Sequence, residues 1–314
     1  MSSEVVAVIQ YLKARARFSV KDALAVIGLP RATYFRWLKT NGKLAKKAAV
    51  VPKSHWLLPW EKEAIIAYKK QHPDMGYRRL AFKMLDENIV AVTPSSVYRV
   101  LKEAGLSNKW TPPGGASKKG FDQPGRPHEQ WHTDISYLNI LGTNYFFLAI
   151  LDGYSRAIMH HEIRTDMSTL DVEVVLERAL RKLPDSASPP RLITDNGGQY
   201  VSREFKQYLR ENRISHSRAR PRHPQSNGKL ERFHRSLKEE CIRRNGMGTL
   251  DEARAIVARY VEEYNTRRPH ASLNYLTPAD YLQGPKQISR RLAERRHKLN
   301  KAKIQRKQSW RQAA

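Results

Sequence analysis

Three acidic side chains that lie far apart along the chain, Asp134, Asp195 and Glu231, have the type and setting to do chemistry. In WHTDISYL, Trp131, Thr133, Ile135 and Tyr137 alternate with His132, Asp134 and Ser136, so Asp134 falls on the polar face of a strand. Asp195 closes the short strand RLITD at Asp195-Asn196-Gly197-Gly198, and Glu231 stands one turn into a helix that opens near Asn227. Strand ends and helix starts beside one sheet can bring such residues together. Gathered carboxylates offer hard oxygen ligands to divalent cations. Two such ions roughly 4 Å apart can activate an attacking oxygen, stabilise a pentacoordinate phosphorus and stabilise the leaving oxygen. Each residue alone has a plainer reading, because Asp before Asn-Gly-Gly commonly forms a turn and a helical Glu is commonly a solvated surface group. Thirty-five residues separate Asp195 from Glu231, and a Pro-rich, Asn-Gly loop feeds directly into the glutamate helix. That joint placement favours the chemical reading. Asp152 in LDGYSR is a rival carboxylate, but its neighbours read as a turn between strands and give it a structural role.

The elements that must position these residues can be traced from the pattern. YFFLAILD is a continuous apolar run, as expected of a strand covered on both faces, and AIMHHEI is a third strand. Ser168 and Asp171 form a capping box for a helix that buries Val172, Val175, Leu176, Ala179 and Leu183. A helix near 202 to 211, a strand near 214 to 219 and the helix from about Asn227 follow, and Thr249 with Glu252 caps a last amphipathic helix. The order of three strands, helix, strand, helix, strand, helix predicts a mixed sheet with helices packed on it. On the Glu231 helix, Leu230, Phe233, Leu237 and Cys241 form an apolar stripe, while Glu231, Arg235 and Lys238 share the adjacent one. Lys238 or Arg235 could clamp a phosphate, with Lys238 favoured. The alternative is ordinary intrahelical ion pairing of roughly 0.5 kcal/mol.

Upstream, residues 5 to 38 read as three short helices. The third carries Phe35, Trp37 and Leu38 inward and displays Arg31, Thr33, Tyr34 and Arg36, as a helix-turn-helix would towards a major groove. A small protein-contact module is the alternative. A second helical group runs from Glu61 to about Gly105. Thr93-Pro94 places a hydroxyl cap before proline at a helix start, and Ser95, Ser96, Arg99 and Lys102 remain for phosphate or base contact. The domains expected are thus helix-turn-helix modules over 1–45 and 56–108, a linker over 109–127, a core over 128–285 and a basic tail over 286–314.

The formal charge is +27, divided as +12 over residues 1–110, +4 over 111–240 and +11 over 241–314. Basic ends around a nearly balanced middle suit a polyanion partner such as nucleic acid. The tail from Lys286 to Arg311 holds eleven Lys and Arg against one acid, Glu294, and is expected as a helix or disordered arm laid on phosphates. Cys241 is the only cysteine, which excludes an intrachain disulfide and a cysteine-based zinc cluster. No apolar run approaches the roughly 18 residues of a membrane span, and the N-terminus lacks the features of a secretory leader. A cytoplasmic, nucleoid-associated protein is expected.

WHTDISYL, LDGYSR, LITDNGGQY, HPQSNGKLERFHRSLKEE and YNTRRPHASLNYLTP, in that order, resemble the DDE transposases of bacterial insertion sequences, the branch closest to retroviral integrases. The resemblance covers about residues 76 to 282, and its motifs are specific in combination. It implies a ribonuclease-H-like α/β core with a mixed five-stranded sheet. Asp134, Asp195 and Glu231 would be catalytic ligands of two magnesium ions, with manganese as an alternative. The basic residue expected seven places after the glutamate is Lys238. GYRRLAFKMLDENIVAVTPSSVYRVLKEAGL looks like the helix-turn-helix that precedes this core. Asn196 would shape the loop beside the second Asp, and Gln225 and Asn227 would touch DNA. The partners implied are double-stranded DNA, both terminal repeats and target, and at least one further copy of the chain. The activity implied is metal-dependent cleavage and strand transfer through a 3′-hydroxyl, without a covalent protein–DNA bond. A catalytically silent DNA-binding regulator and a structure-selective nuclease are the rivals. Many members carry a leucine-zipper region after the first helix-turn-helix, and this chain has no clear heptad run there.

Overall fold

The computed structural model describes residues 2–15, 19–39, 56–107, 123–185, 187–218 and 228–312. The lysine-rich stretch after the first module, most of the 109–127 linker, and Gln225 and Asn227 lie outside them. The chain divides into two compact units, Met1–Ser54 with Trp310–Ala314, and His55–Ser309.

In the first unit, α1 (Ser2–Arg15), α2 (Val20–Ile27) and α3 (Arg31–Lys39) form the three short helices expected. The Ser19 hydroxyl caps α2 by accepting the Asp22 N–H, and Gly28 at φ 66 ends it in the left-handed region where glycine carries no steric penalty. One expectation for α3 is overturned. Tyr34, placed among the displayed residues, is only 3% exposed and packs with Ile9, Ala23 and Leu24, whereas Phe35, expected inside, is 46% exposed. Helical spacing explains the exchange: Tyr34, Trp37 and Leu38 fall at i, i+3 and i+4 on one face. Phe35 turns to the outer side beneath the Arg31 guanidinium, 5.6 Å from its ring centre.

The second unit opens with α4 (Pro59–Gln71), α5 (Tyr77–Asp86) and α6 (Pro94–Glu103), which enclose a core of Ile65, Leu80, Met84, Val97 and Leu101. Pro94 begins α6 as expected, but the Thr93 hydroxyl pairs with the Ser96 hydroxyl at 3.1 Å and makes no cap bond to the backbone.

The sheet follows: β1 (Gln130–Ile140), β2 (Thr143–Asp152), β3 (Ile158–Arg164), then α7 (Thr169–Leu180), β4 (Arg191–Thr194), α8 (Gly198–Val201), α9 (Arg203–Glu211), β5 (His216–Arg218) and α10 (Gly228–Glu240). After it come α11 (Leu250–Thr266), α12 (Pro278–Leu282) and α13 (Pro285–Gln312). The strand order is β3-β2-β1-β4-β5, antiparallel from β3 to β1 and parallel from β1 to β5. This is the mixed five-stranded, ribonuclease-H-like sheet that was expected. The capping boxes at Ser168–Asp171 and Thr249–Glu252 both form. Two apolar layers cover the sheet. Leu138, Ile140, Phe147 and Leu151 meet Leu230, Phe233 and Leu237 of α10 and Val257 and Tyr264 of α11. On the other face Trp131, Leu148 and Ile150 meet Val172, Val175 and Leu176 of α7 and Phe205 of α9. Lone Cys241 is buried in the first layer, where burial pushes its thiol up to about 11.

The basic tail differs from the disordered arm that was one expectation for it. It is one helix of 28 residues, and one stripe of it is bound to protein. Arg295 donates to both oxygens of Asp86 and to the carbonyls of Asn274 and Tyr275. Lys298 donates to the Leu85 carbonyl, and Arg306 donates to both oxygens of Glu61 and to the Ala91 carbonyl. Glu61 and Arg306 are almost fully buried, and Glu61 also accepts the Leu58 N–H at the start of α4. Removing one partner of such a pair leaves an uncompensated buried charge. Arg306→Met is therefore expected to cost about 3–5 kcal/mol of stability, with Glu61→Leu in the same chain recovering much of it. Denaturant melts of the two variants check this, and equal losses in the single and double substitutions would show the pair is not the source.

Candidate active site

β1 supplies the first acid. Even-numbered residues of β1 point to the layer that contains Leu138 and Ile140, so Asp134 lies on the face covered by α10. β4 supplies the second. The parallel register pairs Gln130 with Arg191, Trp131 with Leu192 and His132 with Ile193. Carried two residues further, that register sets Asp195, just past the strand, opposite Asp134. α10 brings the third. Leu230, Phe233 and Leu237 face the sheet and are buried, which leaves Glu231, Arg235 and Lys238 on the exposed side of the helix.

The three acids share one electrostatic field. Burial pushes the Asp134 carboxyl up to about 6, and the charges of Asp195 and then Glu231 push it in the same direction, while a hydrogen bond from the Ile135 backbone opposes them. Among the described residues, no Lys or Arg is one of the main influences on it. Asp195 turns one oxygen back into its own loop, where it accepts the Gly197 N–H at 2.9 Å, and Asn196 beside it is exposed. Among the described residues, no group of three or more His, Cys, Asp and Glu side chains stands close enough to hold a metal ion. The donor set itself fits a divalent cation, since it consists of hard carboxylate oxygens.

Arg235 is engaged by Glu239 of the same helix at 3.0 Å, the intrahelical pair weighed above. Lys238 is exposed and has no ion pair among the described residues. It lies close enough to the buried His234 to help burial pull that imidazole down to about 4. On the helical modules, Arg31, Arg36, Ser95, Arg99 and Lys102 are exposed, whereas Thr33 and Ser96 are half-buried.

Three supporting residues escaped the sequence reading. Tyr200 is fully buried, with its hydroxyl 3.4 Å from that of Thr133, and burial followed by the charges of Asp134 and Asp195 raises its phenol above the usual range. Lys229 donates to the Gly153 carbonyl at 2.9 Å and so ties the start of α10 to the turn after β2; burial pulls its amine down to about 8, and Arg156 adds to this. At Gly153 itself, a Cβ would stand 3.0 Å from both the Gln130 carbonyl and the His132 ring. Lys229 and Tyr200 both lie inside the quoted motifs, but only their tertiary neighbours reveal what they do. Asp152 is fully buried and accepts the His128 N–H, the Ser155 N–H and the Ser155 hydroxyl, which makes it the organiser of that turn.

Comparison with known proteins follows this geometry. A family model described as an integrase core domain matches residues 124–224, and a second of the same description matches residues 212–278. Together the two matches make residues 124–278 similar to integrase core domains. A putative transposase of insertion element IS150 from Escherichia coli strain K12 is 26% identical over 281 residues, covering 85% of this chain and 94% of that protein. An uncharacterized 31.7 kDa protein of insertion element IS407 from Burkholderia multivorans is 28% identical over 211 residues, 66% of this chain and 74% of its own. Among solved structures, an intasome of simian T-cell lymphotropic virus aligns with a TM-score of 0.48 at 18% identity, over 71% of this chain and 75% of that one. The resemblance drawn from the motifs agrees with the sequence matches.

The raised Asp134 carboxyl has a consequence for the stability of the protein. In the unfolded chain Asp134 ionises near 3.8, but in the folded chain only near 6, so ionisation costs stability progressively between those values and fully above them. Well below pH 3.8 both states are protonated and the cost vanishes. Asp134→Asn is expected to stabilise the metal-free protein by about 2 kcal/mol at pH 8 and by little at pH 4. Thermal melts in EDTA across that range check it; a pH-independent difference would mean that the Asp134 carboxyl is not raised in the folded chain.

Proposed function

We propose that the chain binds the ends of a DNA element and cleaves and joins DNA strands, with Asp134, Asp195 and Glu231 holding divalent metal. One observation carries the reading: acids from two neighbouring parallel strands and the helix above them lie together, Asp195 and Glu231 both acting on Asp134, with no Lys or Arg of the described residues among the main influences on it. Such a site favours added positive charge. A bound divalent ion would supply the activation of a water or 3′-hydroxyl and the stabilisation of charge on the scissile phosphate. The chain's own residues set the geometry around that step. Tyr200 stays a neutral phenol beneath the acids, the Asp195 loop is held by Gly197, and Lys229 fixes where the glutamate helix starts. Lys238, exposed about two turns along α10 from Glu231, is free to meet a phosphate oxygen, whereas Arg235 must first leave Glu239.

Sequence relatives named as transposases of insertion elements support this reading, as does the basic charge carried at both ends of the chain. The exposed Arg31 and Arg36 of α3 and Ser95, Arg99 and Lys102 of α6 are the candidate DNA contacts, with Tyr34 withdrawn from that set by its burial. Joining two DNA ends calls for at least two copies of the chain.

Labelled element ends, a target plasmid and magnesium test the proposal directly. The unsubstituted chain is expected to yield joined products. Asp134→Asn, Asp195→Asn and Glu231→Gln are expected to abolish cleavage and joining, with duplex affinity within about threefold of the parent. Strand transfer retained by any of the three removes that residue from the catalytic set, and binding without nicking by the unsubstituted chain removes the enzyme reading altogether.

A further inference from the structure

α13 has two basic faces with different fates. Arg291, Arg295, Lys298 and Arg306 lie on the inner stripe and are engaged by Asp86, Asp280, Glu61 and backbone carbonyls. A second row, Arg296, Lys303 and Lys307, is exposed and has no ion pair among the described residues. At about 100° per residue, these three fall within about 40° of arc, roughly 120° round the helix from the inner stripe. The helix's one acid, Glu294, is already engaged by Arg290 and Arg291.

We propose that this outer row is a contact surface for the DNA phosphate backbone, separate from the helices α3 and α6; the inference rests on the DNA-binding reading above. Lys303 and Lys307 are four residues apart, where like charges repel by a few tenths of a kcal/mol, a cost that a polyanion alongside would remove. The row rises about 16 Å from Arg296 to Lys307, long enough to meet several phosphates with side chains of this length. Rigidity favours the contact as well. The inner arginines fasten α13 to α4 and α5, so the outer cations are held in place before DNA arrives and binding orders little beyond their side chains. With no groove to enter and no acceptor pattern to match, the row would neutralise phosphates without reading sequence.

The test uses the full chain in EDTA, binding two duplexes of unrelated sequence at several salt concentrations. In Arg296→Gln/Lys303→Gln/Lys307→Gln, the slope of log affinity against log salt is expected to become shallower by about 2–3, equally on both duplexes, as for loss of two to three phosphate contacts. Lys303→Arg/Lys307→Arg is expected to keep the parent slope. Melting temperatures, measured alongside, are expected to stay at the parent value because the inner pairs are untouched. An unchanged slope in the triple variant overturns the inference and leaves the DNA-binding reading intact, as does a change confined to one duplex. Failure of the unsubstituted chain to bind either duplex would instead strike that reading itself.

Discussion

The parallel pairing of β1 with β4 is the constraint on which the candidate site depends. Side chains alternate between the faces of a strand, so slipping that register by one residue would turn Asp134 from the α10 face to the α7 face. The existing register sets Asp195 across from it at the point where β4 ends and its backbone leaves the sheet. A parallel neighbour cannot be reached by a tight turn, and α7 makes the crossover while covering the opposite apolar layer. Glu231 then needs only a helix laid over β1, which the stripe Leu230, Phe233 and Leu237 provides and the Lys229 bond to Gly153 anchors at its start.

Elsewhere in the second unit, several buried or partly buried acids are matched by arginines. Burial pushes Glu240 up, yet the guanidinium groups of Arg268 and Arg79 hold it down at about 2, linking α5 to α10 and the segment after α11. Asp86 and Glu61 are taken up by Arg295 and Arg306 in the same way. Asp134 is treated differently: its neighbours are acids. In a protein this rich in Arg and Lys, a partly buried acid left among acids is an arrangement that favours an added cation over an internal partner.

The same arginine pairs join what the sequence presented as separate pieces. The helical group over α4–α6, the sheet and most of α13 form one compact unit, because a helix from the far end of the chain returns to α4 and α5 and binds them through buried guanidinium groups. The surplus of positive charge in the tail was therefore legible, but not its division into an inner stripe spent on protein carboxylates and an outer row left in solvent.

The sequence by itself determined the order of elements, the two capping boxes and the apolar stripe of α10, and it singled out the three acids as candidates, because each is written in local periodicity or in a short run of residue types. Tertiary structure decided the rest. That Tyr34 and not Phe35 enters the core follows from the face of α3 that meets α1 and α2, the one that Tyr34 shares with Trp37 and Leu38. Tyr200 and Lys229 matter through partners 67 and 76 residues away, and Arg306 through one 245 residues away. Contacts of that span are set by which surfaces meet when the layers close, a property of the folded chain that no window of sequence contains.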